Sequence, residues 1–227
     1  MMDPSTRPAA SLGANGLELL GITKRHPGNA VALATLDLAV SAGEVVALAG
    51  PSGCGKSTAL RIAAGIEAPS AGTVRIGGRD VTALTPAQRD VAIVCQNPTL
   101  QGHLTVFENL AFALRARRID DGVLAERVTR AAETVGIEHL LPRWPRQLSA
   151  GQRQRVALGR AIARAPSVFL LDEPLAWLDP DARASLRHAL ARVLAASSAA
   201  ALVVTHDAAE AAALGARLVA LAAPRVA

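Results

Sequence analysis

The chain has 227 residues, 51% of them apolar and 2% aromatic, with 24 Lys and Arg against 19 Asp and Glu for a formal charge of +5. That length supplies one substantial core, or one core with an inserted lobe, and its apolar bulk favours close-packed helices and buried parallel strands. Two cysteines without paired-ligand spacing suggest no zinc site or disulfide framework, and the longest charge-free run near the C-terminus, 193–205, is too short and Ser-rich to span a bilayer, so a soluble cytosolic chain is expected.

Residues 1–15 are rich in Pro, Ser and Ala, lack an apolar signal core, and read as a flexible lead. A strand is expected over 17–23, a turn at Gly28-Asn29, and an extended segment around 36–40. Residues 45–49 are a short apolar run leading straight into glycines, the pattern of a buried strand entering a loop. A helix follows over 57–64, then a hairpin from 73–76 through Gly77-Gly78 to Asp80-Val81, then a buried strand over 91–94 ending at Cys95-Gln96.

Between residues 97 and 166 extended runs vanish. Thr105 with Glu108 is a capping box that opens a helix toward Leu114; 122–135 is a second amphipathic helix, and 151–165 a third. Strands return at 168–171 and 201–205, with a helix over 181–194, a short helix from Asp207 and a weak strand over 217–227. The expected architecture is α/β, a single domain over 17–227. Its core (17–96 and 167–227) has a mixed, largely parallel sheet with flanking helices and an antiparallel β part. The segment 97–166 is an inserted α-helical lobe.

Gly50-Pro51-Ser52-Gly53-Cys54-Gly55-Lys56-Ser57 matches the phosphate-loop pattern in full, after an expected strand and before an expected helix. Gly53 and Gly55 let backbone N–H groups converge on a phosphate. Lys56 reaches the β- and γ-oxygens, Ser57 offers a hydroxyl to Mg²⁺, and Thr58 reaches the α-phosphate. Cys54, among these donors beside Lys56, is expected to be a reactive thiol that bound ATP protects, the alternative being a small residue tolerated in a turn.

Asp172-Glu173 ends the apolar run 168–171. Alone, this is a strand end capped by two solvated acids. Behind a complete phosphate loop, Asp172 reads as a Mg²⁺ ligand and Glu173 as the group that orients or deprotonates an attacking water. Ser149-Ala150-Gly151-Gln152 opens a helix; Ser149 can cap it, and Gly151 allows an anion close to the positive end of the dipole. The same turn is open to a plain capping role. Two phosphate-facing turns on different lobes cannot close on one nucleotide within one chain, whereas two chains arranged head to tail can. His206 can contact a γ-phosphate or serve the fold, and Gln96 can ligate Mg²⁺ or water or be simply a polar strand end.

In this order these features resemble the nucleotide-binding domain of ABC transporters, from about residue 17 to 221. The resemblance implies two ATP molecules sandwiched between two chains, each between one chain's phosphate loop and the other's signature helix. It assigns Gln96 to the Q-loop, 148–152 with Arg153-Gln154-Arg155 to the signature, and Asp172 to the Walker B end. Glu173 becomes the catalytic glutamate, the stretch from Ala176 to Asp179 the D-loop, and His206 the switch histidine. Lys56, Gln96, Glu173 and His206 are then the catalytic set. Gly50 to Thr58, His26, Ser149, Gly151, Gln152 and Asp179 contact ATP, and Ser57, Gln96 and Asp172 the metal.

The stretch from Pro86 to Gln96, followed by His103-Leu104-Thr105-Val106-Phe107-Glu108-Asn109, is similar to bacterial importer ATPases of the sugar, sulfate, polyamine, iron or thiamine type. The resemblance implies a second ATPase subunit, transmembrane permease subunits that dock on 97–114, an extracytoplasmic substrate-binding protein, a peripheral place on the cytoplasmic face of the membrane, and no nucleic-acid partner. The alternatives are a non-transport ABC ATPase acting on nucleic acid or ribosomes, a weakly hydrolysing regulatory subunit, and an exporter half. The departures are Ala150 where the signature has Gly, Trp177 in the D-loop, His26 where adenine stacks on a larger aromatic, and Ala222-Ala223-Pro224-Arg225 in place of an Asp-Gly turn. No accessory C-terminal domain is expected after it.

Overall fold

The computed structural model describes residues 16–27, 31–176 and 178–222. The expected lead, the Gly28-Asn29 turn, Trp177 and Ala223-Pro224-Arg225 lie outside the described residues. In chain order the elements are β1 (Leu17–Arg25), β2 (Val31–Val40), β3 (Val45–Ala49), α1 (Lys56–Ala64), β4 (Ala71–Ile76), β5 (Arg79–Asp80) and β6 (Val91–Val94). Then come α2 (Val106–Arg115), α3 (Asp121–Val135), α4 (Ala150–Arg164), β7 (Val168–Asp172), α5 (Pro180–Ala196), β8 (Ala200–Val204), α6 (Ala208–Ala213) and β9 (Arg217–Ala220).

The strands form two sheets, the expected largely parallel sheet and the expected antiparallel part. An antiparallel sheet has the order β2-β1-β4-β5, and a parallel sheet has the order β6-β7-β8-β3-β9. The parallel strands are apolar at nearly every position because both faces are covered. Their period of two deals side chains to two cores. Val168 and Leu170 of β7, with Leu202 and Val204 of β8, face the core shared with the antiparallel sheet and α1. Phe169 and Leu171, with Ala201 and Val203, face the core shared with α2, α3 and α4. Each fully buried leucine contributes about 1.5–3 kcal/mol over the same residue left exposed.

The helices start where short polar side chains can cap them. Thr105 and Glu108 close the expected box at α2, and Asp120, Asp179 and Asp207 cap α3, α5 and α6. Element ends differ from expectation by a few residues. β2 runs back to Val31, because it pairs along the whole of β1. β9 stops at Ala220, once its pairing with β3 is used up.

Candidate functional site

Because β6, β7, β8 and β3 run parallel, their C-terminal ends open on one edge of the sheet. Gly50 leaves β3 there, Cys95 and Gln96 leave β6, Asp172 and Glu173 end β7, and Thr205 and His206 leave β8. Residues more than a hundred positions apart in sequence thus line one cavity of about 310 Å³, whose walls include Ser52, Gly53, Lys56, Ser57, Thr58, Glu173 and His206.

The helix that opens onto this cavity differs from the others. α1 begins at Gly55 with no side-chain cap and no acid in its first turn. Its first N–H groups and the positive end of its dipole are therefore offered outward, an arrangement that suits an anion. Gly55 holds φ 100°, and a Cβ there would lie 2.5 Å from the Ala32 carbonyl oxygen and 2.8 Å from Leu33 Cδ1. The loop is pressed against β2, and only glycine fits. Lys56, 6% exposed, donates from Nζ to the carbonyl oxygens of Gly50 and Pro51, both at 2.8 Å. Its charge is thereby held across the loop.

Ser57 donates from Oγ to Asp172 Oδ1 at 3.1 Å. Burial pushes the Asp172 carboxyl above its ordinary value; the Ser57 bond opposes this and the neighbouring Glu173 charge adds to it. Two hard oxygen donors, one of them a buried carboxylate that gains from a neighbouring positive charge, fit a divalent cation such as Mg²⁺.

Glu173 sits in left-handed backbone, φ 47°, with its N–H donated to the Val204 carbonyl at 2.9 Å. Such a conformation in a side-chain-bearing residue is costly and aims the carboxylate. One carboxylate oxygen accepts from His206 Nε2 at 2.7 Å, and the other from Gln96 Nε2 at 2.9 Å. The structure turns the Gln96 amide toward this carboxylate. The acid is thus clasped from β6 and β8 at once.

Other expected site residues stand apart from this cavity. Ser149 caps α4, accepting from the Gln152 N–H at 3.2 Å, and Gln152 Oε1 accepts from the Ser149 N–H at 2.9 Å. Ala150 and Arg153 border a different cavity, of about 330 Å³, with Gln96, Asn97 and Pro98. Asp179 caps α5 by accepting from the Ala182 N–H at 2.9 Å. His26 is exposed one residue beyond β1, whose last residue Arg25 pairs with Val31, next to Ala32 at the rim. Ser149, Gly151, Gln152, Asp179 and His26 do not line the cavity.

Cys54 corrects the sequence reading. It is 1% exposed, its Sγ lies 3.7 Å from Lys56 Nζ, and a Cβ built on Gly50 would meet that Sγ at 2.9 Å. The side chain packs beneath the loop instead of facing the anion cradle, so it is not a ready target for alkylation.

The sequence reading missed two residues around His206. Thr205 and Glu210 are buried and bonded to each other, Thr205 Oγ1 to Glu210 Oε2 at 2.9 Å. A buried acid on an Ala-rich helix start was the available signal. Arg89 is also buried, donating to the carbonyls of Ile62, Ala63, Thr82 and Leu84, and so ties the far end of α1 to the turn between β5 and β6. Arg89 lies within the stretch similar to importer ATPases, but nothing in its local pattern marks it as buried.

The ABC transporter family profile matches residues 33–176. The chain is 49% identical over 203 residues to the sn-glycerol-3-phosphate import ATP-binding protein UgpC of Chromohalobacter salexigens, covering 89% of this chain and 55% of that protein. It is 45% identical over 210 residues to UgpC 3 of Agrobacterium fabrum, covering 92% and 60%. The chain therefore spans little more than half the length of these relatives. Among solved structures it is similar to the dimeric ATP-binding cassette MJ0796 in a post-hydrolysis state bound to ADP and Pi. The TM-score is 0.82 at 28% identity, over 92% of this chain and 97% of that one.

Proposed function

The chain belongs to the ABC transporter family, and on that premise we propose that it is the ATP-hydrolysing subunit of a membrane importer, acting as one half of a head-to-tail pair. The carrying observation is the clasp on Glu173: Gln96 and His206 hold both carboxylate oxygens at the mouth of the loop that bears Lys56, Ser57 and Asp172. The names of the relatives, all import ATP-binding proteins, support the transport reading.

In this reading the uncapped start of α1 and Lys56 bind the ATP phosphates, and Ser57 and Asp172 hold Mg²⁺, with Gln96 on its margin. The ion screens the phosphate charges when bound. Glu173 orients the attacking water and takes its proton, while His206 and Gln96 keep the carboxylate aimed. Water attacks the γ-phosphorus, the bond to the β-phosphate oxygen breaks, and ADP and inorganic phosphate leave. Gly50, Pro51, Ser52, Gly53, Cys54, Gly55 and Thr58 shape the loop, and His26 stands at the adenine side.

Ser149, Gly151, Gln152 and Asp179 serve the partner chain's nucleotide, a division supported by their position off this chain's own cavity and by the dimeric cassette it is similar to. Residues 97–166 form the helical lobe and offer 97–114 to permease subunits, and 17–96 with 167–227 form the core. Among the described residues no helix is long and apolar enough to cross a membrane. The chain then works peripherally at the cytoplasmic face, with an extracytoplasmic binding protein choosing the cargo and no nucleic acid involved.

The test is a purified Glu173→Gln variant. Turnover is expected to fall by about 10²–10⁴ while ATP is still bound, and an ATP-dependent dimer should accumulate in size-exclusion chromatography. Equal turnover in variant and parent would refute the assignment.

A further inference from the structure

His206 leaves β8 in a turn whose conformation is set by its neighbours. The Thr205 hydroxyl is the hub of that turn. It donates to Glu210 Oε2 at 2.9 Å and accepts the Asp207 N–H at 3.1 Å. Asp207 in turn caps α6, accepting the N–H groups of Ala209 and Glu210 at 2.8 and 3.2 Å. Glu210 is 6% exposed and Thr205 9%, whereas His206, between Thr205 and Asp207, is exposed.

Glu210 Oε1 has no hydrogen-bond partner within the described residues. Its carboxylate borders a small cavity of about 120 Å³ whose walls also include Glu173, Arg183 and His206. Burial pushes the Glu210 carboxyl above its ordinary value, against which the Thr205 bond and the more distant charges of Arg183 and Arg187 act. A buried acid on a short helix, placed against the catalytic pair, is costly unless its hydrogen bonds give something in return.

We propose that Glu210 is a positioning residue for hydrolysis: through the Thr205 hydroxyl it locks the β8–α6 turn so that His206 Nε2 meets Glu173. Glu210 does not touch the nucleotide; it acts through Thr205 and His206. This rests on the functional reading above. The backbone logic is direct. His206 has the two bonded residues Thr205 and Asp207 on either side, so fixing those two fixes the direction in which its side chain leaves the turn. Without the lock, His206 samples other rotamers and the carboxylate of Glu173 loses one of its two clasps.

The test compares Thr205→Val, which keeps the shape and removes the hydroxyl, with Thr205→Ser, which restores it, and with Glu210→Ala. Thr205→Val and Glu210→Ala should each lower kcat by about 10- to 100-fold with little change in KM for ATP, because misplaced catalytic groups cost rate more than binding. Thr205→Ser should stay close to the parent. Added to His206→Ala, neither Thr205→Val nor Glu210→Ala should lower kcat further, since both act through the missing imidazole.

Long-range proton–nitrogen spectra of the five histidines, with His206 identified by its loss in His206→Ala, supply a readout apart from turnover. The His206 Nε2 signal should move toward that of a free imidazole in Thr205→Val. If Glu210→Ala does not fold, Thr205→Val and Thr205→Ser decide the question. Additive losses on the His206→Ala background, a change confined to KM, or an unmoved His206 signal would overturn the proposal. A parent protein without ATP turnover would instead sink the functional reading, and the histidine spectrum would still decide the positioning claim.

Discussion

Glu173 Oε1 lies 2.7 Å from His206 Nε2, and the two residues reach each other across the paired ends of β7 and β8. The bond links an acid in left-handed backbone to an exposed imidazole, and Gln96 holds the acid's other oxygen. Loss of either clasp should leave ATP binding in place and slow hydrolysis. His206→Ala and Gln96→Ala are each expected to lower kcat by about 10- to 100-fold, less than the loss in Glu173→Gln. Steady-state kinetics with the kcat and KM terms separated check the ordering.

The two central glycines of the loop should not respond alike. A methyl on Gly55 would run into the Ala32 carbonyl and Leu33, while a methyl on Gly53 meets nothing within 4 Å, though both hold positive φ. Gly53→Ala should therefore carry only the backbone cost, about 1–2 kcal/mol. Gly55→Ala should add a displacement of β2 or of the loop, with the larger drop in melting temperature and in nucleotide affinity. Calorimetric unfolding and fluorescent-nucleotide titration of both variants provide the comparison.

If each site is built from the loop of one chain and the turn at Ser149 of the other, two dead variants should complement. Lys56→Ala and Ser149→Phe should each be inactive alone. A random mixture forms half heterodimers, each with one intact site, so activity should return to roughly a quarter of the parent's. A mixture as inactive as its parts would argue that each chain completes its own site.

Thiol titration of the folded chain should find one accessible cysteine. Cys95 is exposed and Cys54 is buried beneath the phosphate loop. Cys95 should react with an aromatic disulfide reagent in the native state, and Cys54 only in denaturant. Two fast thiols in native protein would contradict the packing described for Cys54.

Asp90 ties the start of β6 to the ends of α2 and α4. Burial works against its charge, but the Ser167 hydroxyl and N–H and the guanidinium of Arg117 outweigh it, and its carboxyl is held below the usual value. A carboxyl depressed in the folded state stabilises at pH above its unfolded value, near 3.9, and loses that contribution as pH falls through the lower folded value. Asp90→Asn should thus melt lower than the parent at neutral pH, and the gap should close as pH falls below about 3.9. Thermal unfolding across that range tests the sign; a gap independent of pH would exclude this linkage.

The local chemistry was legible in the residues themselves. The glycine and lysine spacing of the loop, the acidic end of an apolar strand and the Thr105 and Ser149 caps are short-range patterns. They depend on φ preference, strand period and orphan N–H groups, all of which act within a few residues. Cys54 was misread and Thr205, Glu210 and Arg89 were missed for the opposite reason. Their burial and partners are set by packing between elements distant along the chain. What the sequence by itself determined is the kind of chemistry and the elements that carry it. Only the parallel register of β3, β6, β7 and β8 decided that Lys56, Gln96, Glu173 and His206 share one edge while Ser149 does not, because strand order and side-chain direction follow from burying two faces of one sheet at once.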